Sequence, residues 1–115
     1  MSLDSNCLFC KIIIGDIPAE IIFRNEKVVA FKDINPQAPV HILFIPTIHT
    51  PTIAGLASIS SEMTAALFLA AAEVATAHGV EDYRTVFNTG EGAGQSVFHA
   101  HMHLLGGRGL AWPPG

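Results

Sequence analysis

Charge is scarce in this chain. Six Lys and Arg and ten Asp and Glu are spread over 115 residues, for a formal net charge of −4. The basic residues stand singly, which argues against binding along a nucleic-acid backbone. Cysteine is scarce too. Cys7 and Cys10 are the only two, and the N-terminus has neither a basic start nor a long apolar run. Two thiols without a visible secretory leader point to a reducing, cytoplasmic setting and not to a disulfide framework. Ile34 to Ser61 holds no Asp, Glu, Lys or Arg. Pro36, Pro39, Pro46 and Pro51 interrupt that stretch, so it is not expected to span a membrane. The Lys-Ser/Thr of a P-loop is missing, and so is the glycine fingerprint of dinucleotide folds.

What the chain has instead is apolar bulk. Half of its residues are hydrophobic, enough for one buried core, and residues 1–115 read as a single domain with an irregular tail over 106–115. Lys11–Ile14 reads as a short helix stopped by Gly15, although its isoleucines suit a strand equally. Two β-rich runs, Glu20–Arg24 and Lys27–Lys32, flank Asn25-Glu26 and predict an antiparallel hairpin. Val40–Ile45 predicts a third strand and Tyr83–Asn88 a fourth. Ser60 or Ser58 can cap a long helix in which Met63, Leu67, Ala70, Val74 and Ala77 recur at spacings of three and four, with Gly79 ending it. The order of elements is that of an α+β domain with an antiparallel sheet.

Half of the six histidines fall in His99-Ala100-His101-Met102-His103-Leu104-Leu105. Alternation at period two predicts a strand with three imidazoles on one face and Ala100, Met102 and Leu104 on the other. At about 3.3 Å per residue the outer two start roughly 13 Å apart, so one ion could be reached by two of them and hardly by three. No Asp or Glu lies beside the run to serve a metal-bound water, and the zinc-deaminase pattern is absent. Nucleophilic catalysis fits better. A neutral imidazole can attack phosphorus and become covalently modified. The middle histidine is the natural nucleophile, and its neighbours can orient it or hold phosphate. Gly90, Gly92 and Gly94 precede the run and could cradle an anion, although a flexible connection is the plainer account. Cys7-Leu8-Phe9-Cys10 could be half a zinc site, a redox dithiol or two buried small hydrophobes.

Together these residues resemble the histidine-triad family. The resemblance runs through Phe9–Ile13, Ile17–Ala19, Ala30–Ile34, Pro36–Pro39, His41, Ile45-Pro46, His49, Asn88, Gly94–Ser96 and the triad itself. Gly106-Gly107-Arg108 and Trp112-Pro113-Pro114-Gly115 resemble the histidine-triad nucleotide-binding branch more than the dinucleoside polyphosphate hydrolases or the nucleotidylyltransferases.

The resemblance implies a histidine-triad fold, with about five antiparallel strands, one long helix and one short. It implies a hydrolase of purine nucleoside phosphoramidates acting through a nucleotidylated His101. His103 and Asn88 would bind the α-phosphate. Ser96 and the backbone of Gly94-Gln95 would contact phosphate and leaving group. His41 would orient His101, and Asp33 would accept from the ribose hydroxyls. Leu8, Phe9, Ile12, Phe31, Ile34 and Leu43 would form the purine slot. A structural zinc on Cys7, Cys10, His49 and His99 is implied, with no cofactor needed for the chemistry. So is a homodimer whose tail reaches toward the partner's site. Thr47-Ile48 replace basic residues common in the family, an exchange expected to weaken phosphate steering. A nucleotide-binding or scaffolding protein with incidental turnover, and a dinucleoside polyphosphate hydrolase, are the alternative functions.

Overall fold

Eight elements build the domain in the computed structural model, which describes residues 3–115. They are α1 (Leu8–Ile13), β1 (Ile21–Arg24), β2 (Val28–Lys32), β3 (Val40–Pro46), α2 (Ile53–Ile59), α3 (Ser61–Ala77), β4 (Tyr83–Val86) and β5 (Met102–Gly106), with a single 3-10 turn at Glu91–Ala93. The five strands form one antiparallel sheet in the order β1-β2-β3-β5-β4. The α+β architecture is the expected one.

Both faces of the sheet are covered, which is why β2 and β3 read as nearly continuous apolar runs and not as clean alternation. On one face Val28, Ala30, Ile42, Phe44, Met102 and Leu104 pack against Leu56 of α2 and Leu67, Ala70, Ala71 and Val74 of α3. On the other, Val29, Phe31, Leu43 and Ile45 pack against Phe9 and Ile12 of α1. The small side chains of α3 bring its backbone close to the sheet, where bulkier ones would overpack.

Several boundaries differ from expectation. α1 begins at Leu8, three residues early, because the Cys7 sulfur accepts from the Cys10 N–H at 3.4 Å and caps the helix. The two-residue hairpin loop is Glu26-Lys27. Asn25 closes it, accepting from the N–H groups of Lys27 and Val28 at 2.8 Å. β4 stops at Val86. Ala77, placed on the buried stripe of α3, is exposed, and Ala66, Ala71 and Ala75 are buried instead. α2 was not foreseen. Thr52 caps it, accepting from the Gly55 N–H at 3.1 Å. Ser60 is the cap of α3, accepting from the Met63 N–H at 3.0 Å.

The register of the central strands sets out the site. His41 lies opposite Leu105, and Leu43 opposite His103, so His41 and His103 are diagonal neighbours on the α1 side of β3 and β5.

Candidate active site and metal centre

The histidine run is extended, but ladder pairing starts only at Met102. His99 and His101 precede the strand, where the Ala100 N–H donates to the Thr50 carbonyl at 2.7 Å. Alternation survives without the ladder. Met102 and Leu104 enter the α3-side core, while the rings of His99 and His101 lie 6.0 and 5.0 Å from the ring of Phe9 on the α1 side.

His101 is 8% exposed, and its Nδ1 lies 2.8 Å from the His99 carbonyl. A carbonyl can only accept, so Nδ1 carries the proton and Nε2 keeps its lone pair. Burial pushes this imidazole below its ordinary pKa, against the opposing pull of the His99 carbonyl and the Asp33 charge. The ring is therefore neutral at pH 7, with one nitrogen free to attack.

His103 belongs to a second chain of bonds. The Gln37 N–H donates to His41 Nδ1 at 3.0 Å, and His41 Nε2 lies 2.9 Å from His103 Nδ1. Because His41 Nδ1 accepts, the neutral ring has its proton on Nε2 and donates it to His103 Nδ1. His103 then has its own proton on Nε2, a donor available to an anionic oxygen beside the His101 ring, whose centroid is 5.0 Å away. Asp33 Oδ2 stands 3.4 Å from His41 Nε2 and supports the same tautomer. This corrects one expectation. His41 orients His103, and His101 is oriented by the His99 carbonyl.

Burial, and then the neighbouring His101 and His41, lower the His103 pKa to about 4. In an unfolded chain His103 would bind its proton near pH 6.5. Between those values the unfolded state binds more protons, so stability falls as pH drops from 6.5 toward 4. Urea titrations at pH 7 and pH 5 are expected to show this loss, and His103→Asn to lose less over the same interval. An equal loss in both proteins would remove His103 as a source.

The other predicted site residues are placed unevenly. Phe9, Ile12, Phe31 and Leu43 are buried in the core beneath the histidines, whereas Leu8 is 43% and Ile34 100% exposed. The buried four belong to one core cluster, and Leu8 and Ile34 lie outside it, so the six do not come together as the expected slot. Asn88 is half-buried, and its amide nitrogen lies 3.9 Å from where a Cβ on Gly94 would sit. Ser96 is exposed and lines a cavity of about 530 Å³ with Asp4, Leu8, His49 and Phe98.

The glycine loop departs from expectation in its backbone. The N–H groups of Gly94 and Gln95 donate to the carbonyls of Glu91 and Gly90, so they do not point into an anion site. The Gln95 side chain is a brace. It is buried, accepts from the Gly90 N–H at 2.9 Å, and donates to the carbonyls of Pro51 at 2.7 Å and Val97 at 3.0 Å. Gly90 and Gly94 take positive φ of 92° and 96°, which requires glycine there.

A second cluster lies behind the first. Cys7, Cys10, His49 and His99 each offer one ligand atom, all within 4.8 Å of one another, and could hold a metal ion. His99 Nδ1 is 3.5 Å from Cys7 Sγ, 3.4 Å from Cys10 Sγ and 3.4 Å from His49 Nδ1, and Cys10 Sγ is 3.4 Å from His49 Nδ1. The outward ring atom of His99 is fixed as metal-site histidines require. His99 Nε2 donates to the Pro46 carbonyl at 3.0 Å, and His49 Nε2 faces the Asp4 carboxylate at 3.9 Å. That leaves the His99 Nδ1 lone pair aimed into the cluster, with His49 Nδ1 3.4 Å from it. Burial pushes the Cys10 thiol up to about 11 and, for His99, lowers the pKa to about 4. A buried thiolate is costly without a cation, and a cation at the centre would remove that cost.

With both clusters described, comparison with known proteins decides the family. Residues 15–110 match the family model of the HIT domain. The chain belongs to the HIT domain family. A purine nucleoside phosphoramidase of Escherichia coli K12 is 43% identical over 105 residues, covering 90% of this chain and 88% of that protein. A 14 kDa zinc-binding protein of Zea mays is 48% identical over 116 residues, 97% of this chain and 90% of that one. Among solved structures, a HIT family hydrolase from Legionella pneumophila Philadelphia 1 superposes with a TM-score of 0.92 at 49% identity, covering 96% of this chain and all of that one. The HIT domain thus carries two histidine clusters joined at His99, whose ring faces the cysteines and whose carbonyl holds His101.

Two residues of these clusters escaped sequence reasoning. Asp4 behind His49 gives no signal in a polar N-terminal segment. Arg108, in the irregular tail, donates to the Gln37 carbonyl.

Proposed function

We propose that this HIT domain hydrolyses purine nucleoside phosphoramidates through a nucleotidyl-histidine at His101, as a member of the nucleotide-binding branch. The observation that carries the reading is the tautomer of His101, with Nδ1–H tied to the His99 carbonyl and Nε2 free. The name of the E. coli relative, a purine nucleoside phosphoramidase, supports the substrate class. His101 Nε2 attacks the α-phosphorus and the P–N bond breaks. The departing amine takes a proton from the Ser96 hydroxyl or a water beside it. The positive charge arising on the His101 ring is stabilised through Nδ1–H by the His99 carbonyl. His103 Nε2–H and the Asn88 amide donate to the non-bridging oxygens, a preorganised pair for the charge that develops there. Water then attacks the phosphorus and breaks the P–N bond to His101, and the proton it loses restores the Ser96 hydroxyl or the water beside it, so that nucleoside monophosphate leaves and the ring returns to its starting tautomer. Asp33 retains acceptor capacity for ribose hydroxyls, although Oδ1 already accepts from the Asn35 N–H at 2.8 Å.

For the second cluster we assign a structural zinc on Cys7, Cys10, His49 and His99. Zn–S of about 2.3 Å and Zn–N of about 2.0–2.1 Å in a tetrahedron put N and N about 3.4 Å apart and S and N about 3.5–3.6 Å apart. Four of the cluster's six edges lie at 3.4–3.5 Å, close to these values. All four positions would be filled by protein, so the ion would supply rigidity and no chemistry. The name of the maize relative, a 14 kDa zinc-binding protein, supports the same metal.

A homodimer in the cytoplasm completes the reading. Phe68 and Leu69 of α3 are exposed, and the Phe68 ring lies 5.9 Å from that of Phe87, an apolar surface suited to a second copy. No helix of the described residues is long and apolar enough to cross a membrane.

A substrate panel tests the reaction class. Adenosine and guanosine phosphoramidates are expected to turn over at least about tenfold faster in kcat/KM than diadenosine polyphosphates, a difference of about 1.4 kcal/mol in transition-state stabilisation. The reverse order would move the chain to the polyphosphate hydrolases. AMP binding without turnover of any member would favour a binding or scaffolding role.

A further inference from the structure

We propose that Arg108, at the root of the C-terminal tail, is a positioning residue that sets the tautomer of His103 through Gln37 and His41. Three contacts form the path. Arg108 Nε and Nη2 donate to the Gln37 carbonyl at 3.2 and 3.0 Å. The Gln37 N–H donates to His41 Nδ1, and His41 Nε2 meets His103 Nδ1.

The clasp is built and not incidental. β5 ends at Gly106, paired with Val40, which delivers the tail to the 33–39 loop. Gly107 follows with φ of 85°, and a Cβ there would stand 3.0 Å from the Pro39 Cβ. Only glycine lets the tail press on Pro39 at that point. Arg108 Nη1 donates to the Gly109 carbonyl at 2.8 Å, which orients the guanidinium toward Gln37. Within the loop, the Gln37 side chain donates to the Asn35 carbonyl at 3.0 Å. Gln37 is thus fixed from both sides, by its own loop and by the tail.

Gln37 matters because its N–H selects between two states of a coupled pair. With that donor in place, His41 keeps its proton on Nε2, and His103 presents Nε2–H to the substrate. If release of the Gln37 carbonyl lets the residue turn and carry its N–H, on the Pro36–Gln37 peptide, away from the ring, His41 can carry its proton on Nδ1. His41 Nε2 then becomes an acceptor, His103 donates to it from Nδ1, and His103 Nε2 turns a lone pair toward the phosphate oxygens. Asp33, 3.4 Å from His41 Nε2, opposes this second state. Loss of the clasp therefore shifts the population and does not abolish the productive form. The rate follows the fraction in the productive tautomer.

The kinetic part of this proposal rests on the phosphoramidase reading, and the tautomer part does not. The test is two-dimensional ¹H–¹⁵N correlation of the histidine rings in the wild type, Arg108→Ala and Arg108→Lys, with steady-state kinetics on an adenosine phosphoramidate. In the wild type His41 and His103 are expected as Nε2–H tautomers. In Arg108→Ala the Nδ1–H signals of both rings are expected to grow, and kcat to fall about tenfold with KM changed less than about threefold. Lys, which can still donate to the carbonyl, is expected to restore both readouts in part. Unchanged ring signals in Arg108→Ala would overturn the proposal, as would a fall in kcat without them. A ring shift in a protein that turns over no phosphoramidate would uphold the clasp and defeat the assigned reaction instead.

Discussion

Replacing His101 with Ala is expected to lower turnover of an adenosine phosphoramidate by on the order of 10⁴-fold or more, since no other group on this face can form the covalent intermediate. His99 cannot substitute, because its Nε2 is spent on the Pro46 carbonyl and its Nδ1 points at the cysteines. His103 cannot, because its Nδ1 is occupied by His41. The variant should still bind AMP within a few-fold of wild type, as the phosphate donor on His103 is untouched. It should also fold. The cost is a small cavity and an unsatisfied His99 carbonyl, together about 1–3 kcal/mol. Single-turnover kinetics and calorimetry with AMP separate the two effects. Retention of more than a few per cent of activity would place the nucleophile elsewhere.

Replacing Cys10 with Ser carries the second large effect. The cluster loses the sulfur that touches both histidines, at 3.4 Å from each Nδ1. A hydroxyl is a poor zinc ligand, and the remaining three donors leave the site open. A metal held at about a thousand times its dissociation constant stabilises a fold by about 4 kcal/mol. Its loss is expected to lower the apparent Tm by roughly 10 °C or more. The domain should survive, because the larger core on the α3 side includes none of the four ligands, and only Cys7 of the cluster packs against the core on the α1 side. Metal analysis of protein purified without added metal, beside melting curves with and without a chelator, checks this. One equivalent of zinc in the wild type and none in Cys10→Ser is the expected pair. Two freely titrating thiols and a chelator-insensitive melt in the wild type would end the zinc assignment.

The sites were legible to different depths, for physical reasons. The histidine run announced itself because alternation at period two is local, and local patterns survive folding even where the ladder does not form. Strand rise alone showed that the three rings could not all serve one ion, and the separate task of each came only from the family resemblance. The partner of His41 did not, because it depends on the register between β3 and β5, which no stretch of sequence specifies by itself. The backbone of Gly94-Gln95 was expected on the phosphate from the family resemblance. Those N–H groups instead close the loop on the carbonyls of Glu91 and Gly90, and the buried Gln95 amide braces it. α2 was missed because Ile53–Ile59 follows two prolines and contains a glycine, and only the Thr52 cap marks its start. Arg108 stayed hidden since an exposed arginine in an irregular tail carries no periodic signal.

The central claim is that His101 Nε2 is the nucleophile. It is tested most directly by mass spectrometry of the protein quenched in acid-free conditions during turnover of an adenosine phosphoramidate, followed by peptide mapping. The account predicts a mass gain of one adenylyl group on the peptide containing His101, absent from His101→Ala. An adduct on His99 or His103, or turnover with no adduct at any quench time while product accumulates in a burst, would contradict it.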